Sequence, residues 1–491
     1  MKRREFLKAS LGATLGSHRL LTGAAAGALL LPSTAQATPA SQRTLVQLTL
    51  DGGPDFRHLF VPPPNSSESY GKAFWQHNYR SQSLANGNFN TASTRYWQDY
   101  LEATVDGNTF GVLKEEASWL HELLTGTGGH GLGVAVICNV VGSPSRDHVH
   151  SLLALDYGRH DAAADEYGRS GWAGRLADVL DGRVLSLTRT PRNLCYMPDA
   201  TGSNLRSPTD NPLTILDART AGLFDHRGLN LADWNPTWIP AGESKHEFHW
   251  NAHMSRAMSG YYKGLSERAA VNHRIERVID HERTLRRVGQ DLADALNGKD
   301  VLDTPASAWL NKGDFARQMR TLHDMLNHAS DALDLRVASI DMGGWDSHDN
   351  QKNMIEPNFS DLFGTGKGLH TLFTQMDSTA KSNTLLVING EFGRQIKSNF
   401  DAGTDHGRGN YMLLIGQGVR TGIYGEMFPE AEIDRMHTEP SPEIEGKTTI
   451  EHLHKAIADW VASGNTGQTV VNRSLVGLDL ESGLDLNTLF T

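Results

Sequence analysis

The sequence predicts an α/β protein with a largely parallel central sheet flanked by helices. Three observations lead there. Apolar runs of strand length recur at residues 44–50, 133–141, 335–340, 385–388 and 411–416. Stretches of helical period separate them, as crossovers between parallel strands require. Several runs end in a polar loop carrying glycine, acids and histidine, and open α/β sheets hold their ligands beyond the carboxyl ends of strands. No linker divides residues 38–491, which read as a single domain with loop and helical insertions.

Composition bounds the function. Of 491 residues, 38% are hydrophobic and 21% charged, the balance of a soluble globular chain long enough to bury a core. The formal net charge of −11 leaves no electrostatic footprint for nucleic acid. No dinucleotide glycine fingerprint and no haem-type Cys motif is present, which argues against redox chemistry.

The N-terminus reads as an address. Lys2-Arg3-Arg4-Glu5-Phe6-Leu7-Lys8 resembles a twin-arginine export signal, with an apolar segment from Leu20 to Leu31 and an A-x-A cleavage site at Ala35-Gln36-Ala37. Residues 1–37 are therefore expected to be a signal peptide. The expected partner is the twin-arginine translocation machinery, and the expected location is periplasmic or otherwise exported. Removing them takes the formal charge from −11 to −15. No later apolar run is long enough to span a membrane.

Thr44–Leu50 alternates and reads as the first strand; it ends in Asp51-Gly52-Gly53, where Asp51 is either a metal ligand or an Asx-turn residue. Residues 62–110, with scattered aromatics, read as an irregular surface region beside a cleft, and Gly111–Leu124 as a helix. Gly133–Val141 is a second strand. It contains Cys138, which with Cys195 forms either a disulfide or two buried thiols. The strand leads into Ser145-Arg146-Asp147-His148. Here Ser145, Asp147 and His148 are candidates for nucleophile or ligand, or Ser145 or Asp147 caps the helix that follows. His246, His249 and His253 share a helical face, although packing explains them as well as a metal does. Ser255–Asn297 and Phe315–Leu333 read as helices.

The strand Leu335–Ile340 delivers Asp346 and His348 in a glycine-bearing loop. The helix Leu362–Met376 leads to the strand Leu385–Ile388, with Glu391 and Arg394 at its end and Asp405 and His406 in the loop beyond. Carboxylates and imidazoles in this arrangement suit a divalent ion: zinc, manganese, magnesium or calcium. Tyr411–Gly416 and Thr448–Val461 close the chain as strand and helix.

Asp51-Gly52-Gly53, Gly344-Trp345-Asp346-Ser347-His348, Glu391-Phe392-Gly393-Arg394 and Gly403-Thr404-Asp405-His406-Gly407, in this order behind such a leader, resemble an exported bacterial family called domain of unknown function 1501. That family is similar to the alkaline phosphatase and sulfatase superfamily. The resemblance implies an alkaline-phosphatase-like sandwich with one or two divalent metals at the strand ends. It implies ligation of one ion by Asp51 and of another by Asp346 and His348, with Glu391, Asp405 and His406 completing the set. It also places a nucleophile where this chain has Asp147 and the family has Ser. Phe392 occupies the place of a His ligand in the superfamily. The expected function is an exported metal-dependent hydrolase of phosphate or sulfate esters, with Arg146 or Arg394 meeting the oxyanion. The substrate would be a small ester or an envelope polysaccharide. The alternative is a non-catalytic exported binding protein that keeps the fold and one structural ion.

Overall fold

The computed structural model describes residues 43–64, 69–83, 89–163, 166–188, 191–199, 205–207, 212–221, 264, 284, 287–289, 291–302 and 313–491. The signal segment 1–37, the His246–His253 group and most of Ser255–Asn297 lie outside these residues. The described strands are β1 (Thr44–Asp51), β2 (Phe60–Val61), β3 (Tyr100–Val105), β4 (Asn108–Leu113), β5 (Gly133–Val141), β6 (Arg183–Ser186), β7 (Leu213–Thr214), β8 (Leu335–Gly343), β9 (Thr384–Gly390), β10 (Gly393–Arg394), β11 (His406–Gly407), β12 (Gly409–Gly416), β13 (Gly422–Tyr424) and β14 (Thr448–Thr449).

Nine of them form a mixed but mostly parallel sheet in the order β13-β5-β12-β9-β1-β8-β6-β7, with β14 also on β5. The α/β expectation of a large, mostly parallel sheet flanked by helices is met. One strand departs from it: β12 runs antiparallel to both β5 and β9. The reason is the connection. Parallel neighbours need a crossover of a dozen or more residues, usually helical. The segment between β9 and β12 instead folds on itself as the β10–β11 ladder, pairing Gly393 with Gly407 and Arg394 with His406. It leaves and re-enters at the same sheet edge, so Glu391, Arg394, Asp405 and His406 all stay there.

Both sheet faces are covered, so the central strands alternate between two apolar clusters rather than between core and water. Leu48, Ile388 and Leu413 enter one cluster with Trp119, Phe359 and Leu372. Leu45, Val387 and Leu414 enter the other with Trp172, Leu453 and Ile457. Each fully buried side chain of this size contributes roughly 1.5–3 kcal/mol.

Four expectations need correcting. The Leu362–Met376 helix is the end of one helix, Gln351–Phe363, and a second, Gly368–Gln375. The described residues of 62–110 are not an irregular surface. They form helices Tyr70–His77 and Phe89–Asp99 and much of the small sheet β2-β4-β3, and Phe74, Trp75, Tyr96 and Tyr100 are buried in the core. The Gly111–Leu124 helix begins only at Ser118, because residues 108–113 pair with β3. The Phe315–Leu333 helix is interrupted by a π-helical turn over Met325–Ala329. Cys138 and Cys195 are both buried free thiols.

Candidate metal centre

Register puts the site in one place. Asp51 is paired with Gly343 and Leu50 with Gly390, so β1, β8 and β9 end within one step of each other. Val141 at the end of β5 pairs with Gly409 at the start of β12. Gly52 and Gly53 let the chain turn sharply there, with φ of +112° and +70°. A Cβ on Gly52 would stand 2.4 Å from the Asp346 amide nitrogen, and one on Gly53 would strike the Phe392 ring.

Three imidazoles converge on the Asp346 carboxylate. His406 Nε2 lies 2.9 Å from Asp346 Oδ1, His348 Nε2 3.0 Å from the same oxygen, and His148 Nε2 3.6 Å from Oδ2. Ligand atoms of His148, Asp346 and His406 all fall within 4.8 Å of one another, so the group could hold a metal ion. His348 joins it, with its Nε2 2.9 Å from His406 Nε2.

The far ring nitrogens fix the tautomers. His406 Nδ1 faces the carbonyl oxygen of Arg146 at 2.8 Å, His348 Nδ1 faces Asp405 Oδ1 at 2.9 Å, and His148 Nδ1 faces Glu391 Oε1 at 2.7 Å. A carbonyl or carboxylate oxygen only accepts, so each Nδ1 donates and each neutral Nε2 presents a lone pair. Burial also lowers the pKa of His406, which favours its neutral form. Bare nitrogens and a carboxylate oxygen 2.9–3.0 Å apart repel unless a cation lies among them. Histidines that ligate metals typically donate their other N–H to a carboxylate or carbonyl in this way.

Charge is arranged to match. Burial alone would raise the Asp346 pKa, but the hydrogen bond and charge of the Arg394 guanidinium hold it below the usual carboxylate value. Asp405 is likewise lowered: its burial is outweighed by hydrogen bonds from His348 and Asn399. Glu391 is raised by burial, only partly offset by His148. Its Oε1 also accepts from the Gly52 amide at 2.7 Å, and its Oε2 is buried with no hydrogen-bond partner among the described residues.

Not every expected residue joins the cluster. Arg394 is 1% exposed and directs its donors inward, to the carbonyls of Gly52, Gly53, Trp345 and Thr404 and to Asp346 Oδ1 at 2.7 Å. It braces the site from behind and offers no fork to a substrate oxyanion. Asp51 pairs with Arg192 at 2.9 Å, and Arg192 also holds Asp156. Asp147 caps helix His148–Tyr157, its Oδ1 accepting from the His150 amide at 2.9 Å. Arg146 pairs with Glu443 at 2.9 Å while its side chain stays 44% exposed. Asp405 and Glu391 meet the imidazoles on the side away from Asp346, as orienting groups. Phe392, in the place of a His ligand, is buried with its ring centroid 4.1 Å from that of His406 and 5.0 Å from that of His148.

The sequence offers His148 as a candidate ligand beside Ser145 and Asp147, but the ligand set implied by the resemblance leaves it out. The cap supplies the missing signal: an Asp immediately before a helix is taken by the backbone, and the next side chain stands at the helix entrance. Arg192 carries no such signal, because nothing in its sequence surroundings marks it as a partner of Asp51.

Among the described residues, two further groups lie as close together, His323–Asp324–His328 and His160–Asp161–Glu451. Neither has the same donor logic. The Asn327 amide oxygen accepts from the Asp377 amide, so its nitrogen faces His323 Nε2 and leaves the proton on Nδ1. In the other group Arg473 already supplies the cation, 2.6 Å from Asp161 and 3.0 Å from Glu451.

Fold and site together define an α/β protein with a candidate metal centre at the carboxyl edge of its sheet. The model of a family described as "Protein of unknown function (DUF1501)" matches residues 234–454, which supports the resemblance to that family. The match takes in the Asp346–His348, Glu391–Arg394 and Asp405–His406 motifs but neither Asp51 nor His148. No curated protein matches the chain.

Proposed function

We propose that the chain is an exported, metal-dependent hydrolase of phosphate or sulfate esters on an alkaline-phosphatase-like sandwich. The observation that carries this reading is the set of three Nε2 lone pairs converging on Asp346. His148, Asp346 and His348 are 43–44% exposed in their side chains, so an ion held there would be open to a substrate. A bound divalent ion would supply Lewis-acid polarisation of an ester oxygen. Three imidazoles and one carboxylate suit zinc, manganese, iron or nickel better than calcium or magnesium, which prefer oxygen donors.

The chain's own residues do the rest. Glu391, Asp405 and the Arg146 carbonyl hold the three rings in the tautomer that points a lone pair inward. Phe392 packs against two of the rings and limits their rotation. Arg146 is the exposed guanidinium nearest in sequence to His148, and its fork suits a phosphoryl or sulfuryl oxygen. A screen of aryl phosphate and aryl sulfate esters with the zinc- or manganese-loaded protein tests the reading. Chelator-sensitive hydrolysis is expected, falling by roughly 100-fold or more in Asp346→Asn. A metal-loaded protein that cleaves neither ester class would overturn it.

One observation favours a second reading, a non-catalytic exported binding protein with a structural ion. Asp147, the residue in the nucleophile's place, spends its carboxylate on a helix cap. Bound metal without hydrolysis in the same screen would select this reading.

A further inference from the structure

Gln351 opens the helix Gln351–Phe363 and is fully buried, away from the cluster just described. Its amide oxygen accepts from two hydroxyls, Ser347 Oγ at 3.1 Å and Thr404 Oγ1 at 2.7 Å. Its amide nitrogen donates to Asp55 Oδ2 at 2.8 Å and lies 3.2 Å from His58 Nδ1. The Asp55 carboxylate only accepts, so the amide orientation is fixed and all four hydrogen-bonding capacities of the side chain are used. His58 Nε2 then donates to Glu356 Oε1 at 2.9 Å, and Arg95 donates to the same oxygen. Ser347, Thr404, Asp55, His58 and Glu356 are all buried.

The two hydroxyls matter because of their neighbours. Ser347 stands between Asp346 and His348, and Thr404 directly precedes Asp405 and His406. The backbone repeats the tie: the Thr404 amide donates to the Ser347 carbonyl at 3.1 Å and the Gln351 amide to the Ala402 carbonyl at 3.0 Å. One amide oxygen thus joins the two loops that carry Asp346, His348 and His406.

We propose that Gln351 is the positioning residue of the metal centre. It sets the separation of loops 344–348 and 403–407, and through it the affinity and geometry with which an ion is held. The inference rests on the metal-centre reading. No similar side chain replaces the amide. Glu presents an acceptor to Asp55, and Met leaves Ser347, Thr404, Asp55 and His58 without their partner.

Gln351→Met, Thr404→Val and Thr404→Ser test it, with cobalt(II) as the probe. Chelator competition gives affinity, the visible ligand-field spectrum gives geometry, and ring ¹⁵N NMR of the metal-free proteins reports His348 and His406. Gln351→Met and Thr404→Val are expected to weaken cobalt binding roughly 10–100-fold, as loss of outer-shell partners does, and to alter the spectrum. Thr404→Ser keeps the hydroxyl and should restore both. Wild-type affinity and spectrum in Gln351→Met or Thr404→Val would overturn the proposal. Should Gln351→Met not fold, the Thr404 pair decides alone. If the wild-type protein takes up no cobalt, the metal reading fails, and the ring nitrogens still decide the clamp. Displaced His348 and His406 signals, with those of the remote, buried His454 unmoved, support it; unmoved His348 and His406 signals reject it.

Discussion

His406 turns one ring nitrogen to a backbone carbonyl and the other to a carboxylate, and that division decides what its neighbours can do. Residues that looked equivalent in the sequence separate on this basis. Asp346 faces the lone pairs, whereas Asp405 and Glu391 face the N–H groups and orient the rings. Arg394 belongs to neither set. Truncating it in Arg394→Met leaves Asp346 and four carbonyls without their donor, and should cost roughly 3–5 kcal/mol in urea unfolding. Arg394→Lys should recover little, because an ammonium cannot span those acceptors. A loss under 1 kcal/mol would show that the brace is dispensable. Glu356 gives a pH signature away from the site. Its burial would raise its pKa, but His58 and Arg95 pull it from 4.5 down to about 2. The unfolded chain therefore binds more protons between these values, and the contribution is full above about pH 4.5 and lost as pH falls towards about 2. Acid unfolding of Glu356→Gln should have a shallower dependence in that window than the wild type; an unchanged slope would contradict the assignment. The motif residues were legible in the sequence, because acids and histidines recur at strand ends. Their division of labour was not, because it depends on which ring nitrogen meets which acceptor.

Helix His148–Tyr157 shows how one element serves two ends. Asp147 satisfies an otherwise orphaned amide at its start, and His148 enters the cluster from the first turn. Asp147→Ala should cost about 1 kcal/mol of stability, while Asp147→Asn, which can also cap, should cost a few tenths. Both variants should retain ester hydrolysis, measured beside thermal unfolding. Loss of hydrolysis in a stably folded Asp147→Asn would instead make Asp147 the nucleophile that the family resemblance implies. The segment between β9 and β12 is the second decisive element. Its strand-forming ends were readable from their apolar runs, but the β10–β11 ladder is two residues long on each side, too short for any period to show. Helix Phe89–Asp99 and the small sheet β2-β4-β3 escaped for a related reason: Tyr96 of the helix and Tyr100 of β3 pack as core while their surroundings in sequence are polar.

Across the whole molecule, the apolar period of β1, β5, β8, β9 and β12 was enough to announce the sheet, because strands buried on both faces read as continuous hydrophobic runs. The antiparallel course of β12 was not announced, since strand direction follows from the connection and leaves no mark in the strand. The sheet places Asp346 and His348 after β8, His148 after β5 and His406 before β12 at one edge. An ion bound there ties together segments from residue 148 to residue 406, and it should stabilise the folded chain by mass action. At an ion concentration near 100 times its dissociation constant, the gain is about 2.7 kcal/mol. A chelator should lower the unfolding midpoint of the wild type and leave that of Asp346→Asn unmoved. The central claim is that His148, His348, His406 and Asp346 hold one transition-metal ion. X-ray absorption of the protein purified from metal-replete cells, with elemental analysis of the same sample, addresses it most directly. One ion per chain with a scattering pattern dominated by imidazole nitrogen is the predicted result. No stoichiometric ion, or one surrounded only by oxygen, would contradict it.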